Sequence, residues 1–297
     1  MDERVNKVTA LANAVFYGSQ STLKYIDGAP HIKHFKLRKL YGELVVTIYD
    51  YAKKYADPPK ILDLGAGEGS ATLPFLELGA EVTAVDISES SLRLLKTKCS
   101  TSVRELEIRG QDVFDAIKSL QSEGRQYDVI VANSFLHHVP DYLGLIREAV
   151  SILSPNGQFF SFQDPLRYDS VGRFSRIFSA LAYFAWRISK GDIRGGLKRR
   201  IRRSRKIYLD EEDNVEYHVV RGGIDQNAII ELSNQLGLKC EIFRYFSTQS
   251  PVWQRSGTAL GIKNTFAIIG KRATLMNHPE FSASANPLAN ATIVRTG

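Results

Sequence analysis

Lys60 to Asp86 reads KILDLGAGEGSATLPFLELGAEVTAVD, and its punctuation leaves little choice of fold. A short apolar run from Ile61 to Leu64 meets glycines at 65, 67 and 69. A helical stretch from Ser70 to Leu78 follows, and a second apolar run from Val82 ends on Asp86. Strand, tight glycine turn, helix and strand make the layout of a nucleotide-binding βαβ unit. Glycine belongs where the backbone turns sharply and where a ligand lies against the main chain. An acid at the tip of the second strand can hydrogen-bond ribose hydroxyls, and Asp86 stands there.

The loop variant narrows the ligand. A dinucleotide site calls for G-x-G-x-x-G, but here the third glycine comes one residue early and Ser70 takes its place. Asp63 adds a carboxylate two residues before the first glycine; beside a pyrophosphate it would repel, and beside an ammonium or sulfonium it attracts. S-adenosylmethionine carries both cations, a ribose and an adenine, and no phosphate. DLGAGEGSAT followed by AVD resembles motifs I and II of the class I S-adenosylmethionine-dependent methyltransferases.

That resemblance implies cofactor contacts from Asp63, Gly65, Ala66, Gly67, Gly69, Asp86 and Ile87. It sets Asp63 toward the methionine amino group through the loop and Asp86 on the ribose. Strand three, read as Val103 to Arg109, ends in GQDVFD. Asp112 matches the family position facing the adenine amino group, with Val113 beside it in backbone contact; a surface turn acid is the alternative. Asp115 is the expected cap of the next helix. YDVIVAN, Tyr127 to Asn133, is a continuous apolar run suited to a strand buried on both faces, and Asn133 at its end completes the expected cofactor set.

SFLHHVPD follows and resembles the segment after strand four in small-molecule and quinone-type methyltransferases. The Asn/Asp-Pro-Pro-aromatic signature of enzymes that methylate DNA base amines is absent. His137 and His138 are the general-base candidates, because an ordinary imidazole titrates near pH ~6.5 and accepts a proton at neutral pH. Adjacent turn residues are expected to point apart, leaving one of the pair on the substrate. Strand five is read as Gln158 to Gln163 after an SPNG turn. Gln163 and Asp164 lie at its carboxyl end, where ligands of open α/β sheets bind. Asp164 can orient a histidine, bind a substrate hydroxyl or cap a turn.

Residues 1–56 read as a helical cover. Val8, Leu11 and Val15, then Leu37, Leu40, Leu44 and Ile48, recur at helical steps and give each helix an apolar face. Tyr17, Tyr25, His31 and His34, in the glycine- and proline-broken connection, are candidate pocket residues. The opening MDERVNKVTALANAVF carries acids and no long apolar core, so a secretory signal is not expected. Cys99 and Cys240 are the only cysteines of 297 residues; no zinc site or disulfide framework is expected, and a reducing, cytoplasmic setting is.

The chain's net charge of +7 is concentrated. Residues 187–206 carry ten basic side chains against one acid, Asp192, so the remainder is slightly acidic. This run follows an aromatic helical stretch, Ile177 to Trp186, inside residues 165–223, far more chain than the fold needs between strand five and its next helix. A lid over the active site, an anionic membrane surface met by 175–206 at the inner face, and an RNA phosphate track are the three readings, nucleic acid being the least favoured.

The expected architecture is a three-layer Rossmann-like α/β fold with a seven-stranded sheet of order 3-2-1-4-5-7-6, the last strand antiparallel. Residues 1–56 form its cover, 57–272 the methyltransferase domain and 273–297 a mobile tail. The expected reaction is O-methylation of a small-molecule, amphiphilic or lipid- or glycan-linked acceptor, with RNA methylation and N- or C-methylation of a metabolite as alternatives. No metal is expected.

Overall fold

The computed structural model describes residues 3–18, 29–99, 105–189, 202–203, 205, 207–209, 213–215, 217–272 and 292–295. Their strands are β1 (Lys60–Leu64), β2 (Glu81–Val85), β3 (Leu106–Arg109), β4 (Tyr127–Asn133), β5 (Leu153–Pro165), β6 (Leu238–Tyr245), β7 (Thr265–Arg272) and β8 (Thr292–Arg295). They form one sheet of order β3-β2-β1-β4-β5-β7-β6-β8. The first five run parallel, and β7 is antiparallel to both β5 and β6. The seven-stranded order read from the sequence is thus present, with one strand added at the edge: Thr292–Arg295, expected in a mobile tail, pair antiparallel with β6.

The helices are α1 (Glu3–Gly18), α2 (Pro30–Lys33), α3 (Phe35–Lys53), α4 (Thr72–Glu77), α5 (Glu89–Lys98), α6 (Val113–Ser122), α7 (Tyr142–Ser151), α8 (Arg173–Ser189), α9 (Tyr217–Val220), α10 (Gln226–Gln235) and α11 (Pro251–Ala259). Central strands send alternate side chains into two cores. Leu62, Ile130 and Phe159 pack on one face with Ile117, Leu145 and Ile229, from α6, α7 and α10. Ile61, Val129 and Phe160 pack on the other with Leu44, Ile48 and Phe75, from α3 and α4. Because both faces are covered, these strands read as unbroken apolar runs.

Local chemistry explains where elements begin. Ser88 caps α5 through the Ser91 N–H, and Asp225 caps α10. The cap of α6 is Asp112, whose carboxylate accepts the Phe114 N–H, rather than the expected Asp115, which sits in the first turn. β5 starts at Leu153 rather than Gln158: SPNG is absorbed as an irregularity between the pairs Tyr127–Leu153 and Val129–Gln158. In α3, Leu37, Leu40, Leu44 and Ile48 are buried as their spacing predicts, whereas the row Val8, Leu11 and Val15 of α1 faces solvent. Among the described residues no helix is long and apolar enough to cross a membrane.

Phe160 is fully buried at the centre of the second core. Phe160→Ala should lower unfolding free energy by about 3–5 kcal/mol, measured by urea denaturation, with the slope unchanged.

Candidate active site

The carboxyl ends of β1, β2 and β4 open onto a cavity of about 200 Å³, roofed by α1 and α2. Its floor is the glycine loop. Gly65, Gly67 and Gly69 have φ of 72°, 53° and 94°, a region that side chains with a Cβ resist. A Cβ on Gly65 would stand 2.1 Å from the Phe135 ring, and one on Gly69 2.5 Å from Leu95, whereas one on Gly67 would meet nothing within 4 Å. Gly67 is therefore where the bare backbone meets open space.

Asp86 ties this loop to the next helix. Its Oδ2 accepts the Gly67 N–H at 2.8 Å and its Oδ1 the Ser88 N–H at 2.7 Å. Burial pushes its pKa up, against the backbone N–H groups of Ser88, Gly67 and Ile87. Ile87, Asp112 and Val113 continue the same wall. Asp63 lies beneath the loop: Thr72 donates to its Oδ2 at 2.6 Å, while its buried Oδ1 has no hydrogen-bond partner. Burial, opposed by Thr72 and reinforced by Asp86, raises its pKa to about 7.

The opposite wall carries the histidines. Leu136–His138 form one 3-10 turn after β4. His137 donates from Nδ1 to Asp164 Oδ1 at 2.8 Å and from its backbone N–H to the same oxygen at 3.1 Å. Ser161 donates to Asp164 Oδ2 at 2.5 Å, which completes a buried carboxylate. A β-bulge sets this up. Gln163 has φ 69° and drops out of the ladder, which passes from the pair Phe162–Ala267 to Asp164–Phe266 and turns Asp164 inward.

The histidines do not point apart. Their ring centroids are 4.1 Å apart and both line the cavity. His138 gives Nδ1 to the Val215 carbonyl, and burial, then its neighbour His137, hold its pKa well below the ordinary value. Residues 62–159 match the family described as a methyltransferase domain. Over that stretch the chain is similar to a methyltransferase domain.

This domain is 30% identical over 101 residues to the ubiquinone biosynthesis O-methyltransferase of Methylobacterium sp. (strain 4-46). It is 32% identical over 101 residues to that of Xanthomonas campestris pv. campestris (strain B100). The alignments cover 34% of this chain and 39% and 41% of those proteins, so the chain spans about two fifths of the length of the curated relatives it matches. Among solved structures, the plantazolicin methyltransferase BpumL with a triazolic desmethylPZN analog and SAH has TM-score 0.53 at 17% identity, over 91% of this chain and 98% of that one. Magnesium protoporphyrin IX methyltransferase (ChlM) from Synechocystis PCC 6803 with bound SAM has TM-score 0.50 at 13% identity, over 89% and 97%. Both share the methyltransferase fold.

Other expected site residues are placed as follows. His31 lines the cavity with its Nε2 3.4 Å from Asn133 Nδ2, and burial lowers its pKa to about 4, so it is neutral. His34 instead reaches the Thr248 carbonyl, away from the cavity. Gln163 is also turned away: its amide donates to Ser247 and its backbone N–H to Tyr245. Tyr25 lies outside the described residues, as does the Tyr17 side chain.

The sequence reading missed Glu68, which lines the cavity, pairs with Lys98 at 2.8 Å and leaves Oε1 without a partner. It also missed Asn6, Ala10 and Asn13 of α1. Their signal was the polar and small face of that helix, opposite the apolar row that drew the reading.

Asp63 gives a pH test. Its folded pKa, about 7, exceeds its ordinary 3.8, so its stabilising contribution is complete below pH ~4 and is lost as pH rises through ~7. In the ligand-free protein, Asp63→Asn keeps an acceptor for Thr72 and should raise the thermal midpoint relative to wild type at pH 8. The difference should shrink toward pH 4 in parallel calorimetric scans.

Proposed function

We propose that the chain is an S-adenosylmethionine-dependent O-methyltransferase acting on a small-molecule or amphiphilic acceptor with a hydroxyl. The observation that carries this reading is that one cavity holds both the Asp86-anchored glycine loop and the Asp164-oriented His137. Asp63 Oδ1, Glu68 Oε1 and Asn133 Oδ1 are buried acceptor oxygens without partners. Such a set suits a cationic ligand and opposes a pyrophosphate. Asp86 and Ile87 would take the ribose, Asp112 and Val113 the adenine, and Asp63 the amino group through the loop.

The cofactor supplies an electrophilic methyl on a sulfonium. The protein's tasks are to align the nucleophile with it and to accept the hydroxyl proton. With Nδ1–H given to Asp164, His137 holds its Nε2 lone pair as the base, and the buried carboxylate stabilises the imidazolium that forms. Amine methylation needs no such pair, so this arrangement favours oxygen. Ala66, Val113, Phe135 and Val139 give the wall an apolar part suited to an amphiphilic acceptor. The relatives' printed names, which concern ubiquinone biosynthesis, agree with a quinone-type substrate class. Cys99 and Cys240 are buried and not joined in a disulfide, which suits a cytoplasmic setting. RNA is less favoured, since Arg202 and Arg203 of the basic run are already engaged by Asp213.

Calorimetric titration should show that S-adenosylmethionine and S-adenosylhomocysteine bind wild type, and that Asp86→Ala weakens both by tenfold or more, ~1.4 kcal/mol. Wild type that binds neither would overturn the cofactor assignment. Against a panel of phenolic acceptors, His137→Ala should lower kcat by about 10²–10⁴ with cofactor affinity kept. Unchanged turnover would remove the base.

A further inference from the structure

Helix α8 was expected either as a lid or as a surface element, and its packing separates the two. Ala182 is fully buried against Phe246 and Ile262, and Phe178 meets the Phe246 and Trp253 rings edge-on at 5.6 and 5.1 Å. No residue of α8 lines the active-site cavity. A second strip, turned about 100° from the packed one, is bare: Phe174, Ile177, Leu181, Phe184 and Ile188 are each 47–62% exposed. At about 100° per residue these five share an arc roughly 80° wide. Arg173, Arg176 and Arg187 fall together in the adjoining sector.

The helix therefore has three strips: one packed on the protein, one apolar and uncovered, and one cationic beside it. Directly after it the sequence continues with Lys190, Arg194, Lys198, Arg199 and Arg200 against Asp192, a stretch outside the described residues. A second copy of the chain on the apolar row would bring two arginine edges together, which like-charge repulsion opposes. A nucleic acid offers the anions but no hydrocarbon. A bilayer with anionic headgroups offers both, and an amphipathic helix lies in that boundary with its apolar strip toward the acyl chains.

We propose that α8 is an in-plane anchor that seats the protein on an anionic lipid bilayer, with the row Phe174 to Ile188 at the acyl boundary and the arginine edge among the headgroups. This rests on α8's exposure and charge and is independent of the reaction assigned to the cavity.

The test is co-sedimentation of the full chain with phosphatidylcholine vesicles and with mixed phosphatidylcholine–phosphatidylglycerol vesicles. Wild type should pellet with the anionic vesicles and not the neutral ones, less so in high salt. Ile177→Asp with Phe184→Asp should reduce partitioning at least about tenfold, and Arg173→Gln with Arg176→Gln should weaken it and flatten its salt dependence. Both variants should keep wild-type circular dichroism and S-adenosylhomocysteine affinity, because α8 is remote from the cavity. If wild type itself does not bind that ligand, the cofactor assignment fails while the vesicle result still stands. No pelleting of wild type, equal pelleting with both vesicle types, or an unaffected row variant would overturn the proposal. So would a lipid-free dimer in light scattering that the row variant abolishes.

Discussion

The Asp86 carboxylate accepts N–H groups from both sides, Gly67 of the loop before α4 and Ser88 at the start of α5. Two chain segments, at Gly67 and at Ser88, are thus held by one side chain at the tip of β2. The loop's left-handed glycines have a fixed shape only because something fastens them, and Val85 adds its carbonyl to the Gly65 and Ala66 N–H groups. The floor of the cavity, the acids around it and the entry of α5 all inherit their positions from this fastening. It also keeps a carboxylate at the surface of the cavity that a ligand can share without releasing the loop.

The second half of the site depends on an irregularity. Had β5 kept regular alternation past Phe162, Gln163 and not Asp164 would occupy the inward place, and His137 would face an amide. One residue in the left-handed region exchanges them. The strand is held on both sides while this happens, by β4 and β7, so the deviation is fixed by the sheet and not by the site.

Much of this was legible in the residues. Periodicity and glycine spacing located the strands and their order, because a doubly covered parallel sheet writes itself as unbroken apolar runs. Asp63, Asp86, Asp112 and the histidine pair were findable because each is tied to a strand end. What stayed hidden depends on tertiary packing. The bulge that promotes Asp164 over Gln163 was hidden because its left-handed residue is a glutamine and not a glycine, and the Pro165 that follows reads equally well as the end of the strand. The tilted ring contact of His137 with His138 follows from a 3-10 turn whose second ring is held by Val215, 77 residues away. Val8, Leu11 and Val15 have helical spacing, but α1 turns Asn6, Ala10 and Asn13 to the cavity instead. Glu68 was concealed by its place inside the loop, where its burial with Lys98 depends on how α5 lies.

The long connection after β5 leaves and returns at a single point: Leu166 bridges Ile224, and Ile224 donates its N–H to Pro165. Between them the excursion reaches the cavity wall, through the Val215 carbonyl on His138 and His218 on the carbonyls of Val139 and Pro140. Because its two ends are stapled together, its length is nearly invisible to the sheet; doubling a loop costs only ~0.6 kcal/mol. The length of this excursion, and with it the surroundings of the His137–His138 turn, is therefore set apart from the loop that Asp86 fastens. The fold thereby separates a part whose shape is pinned by one side chain from a part whose size the sheet does not register.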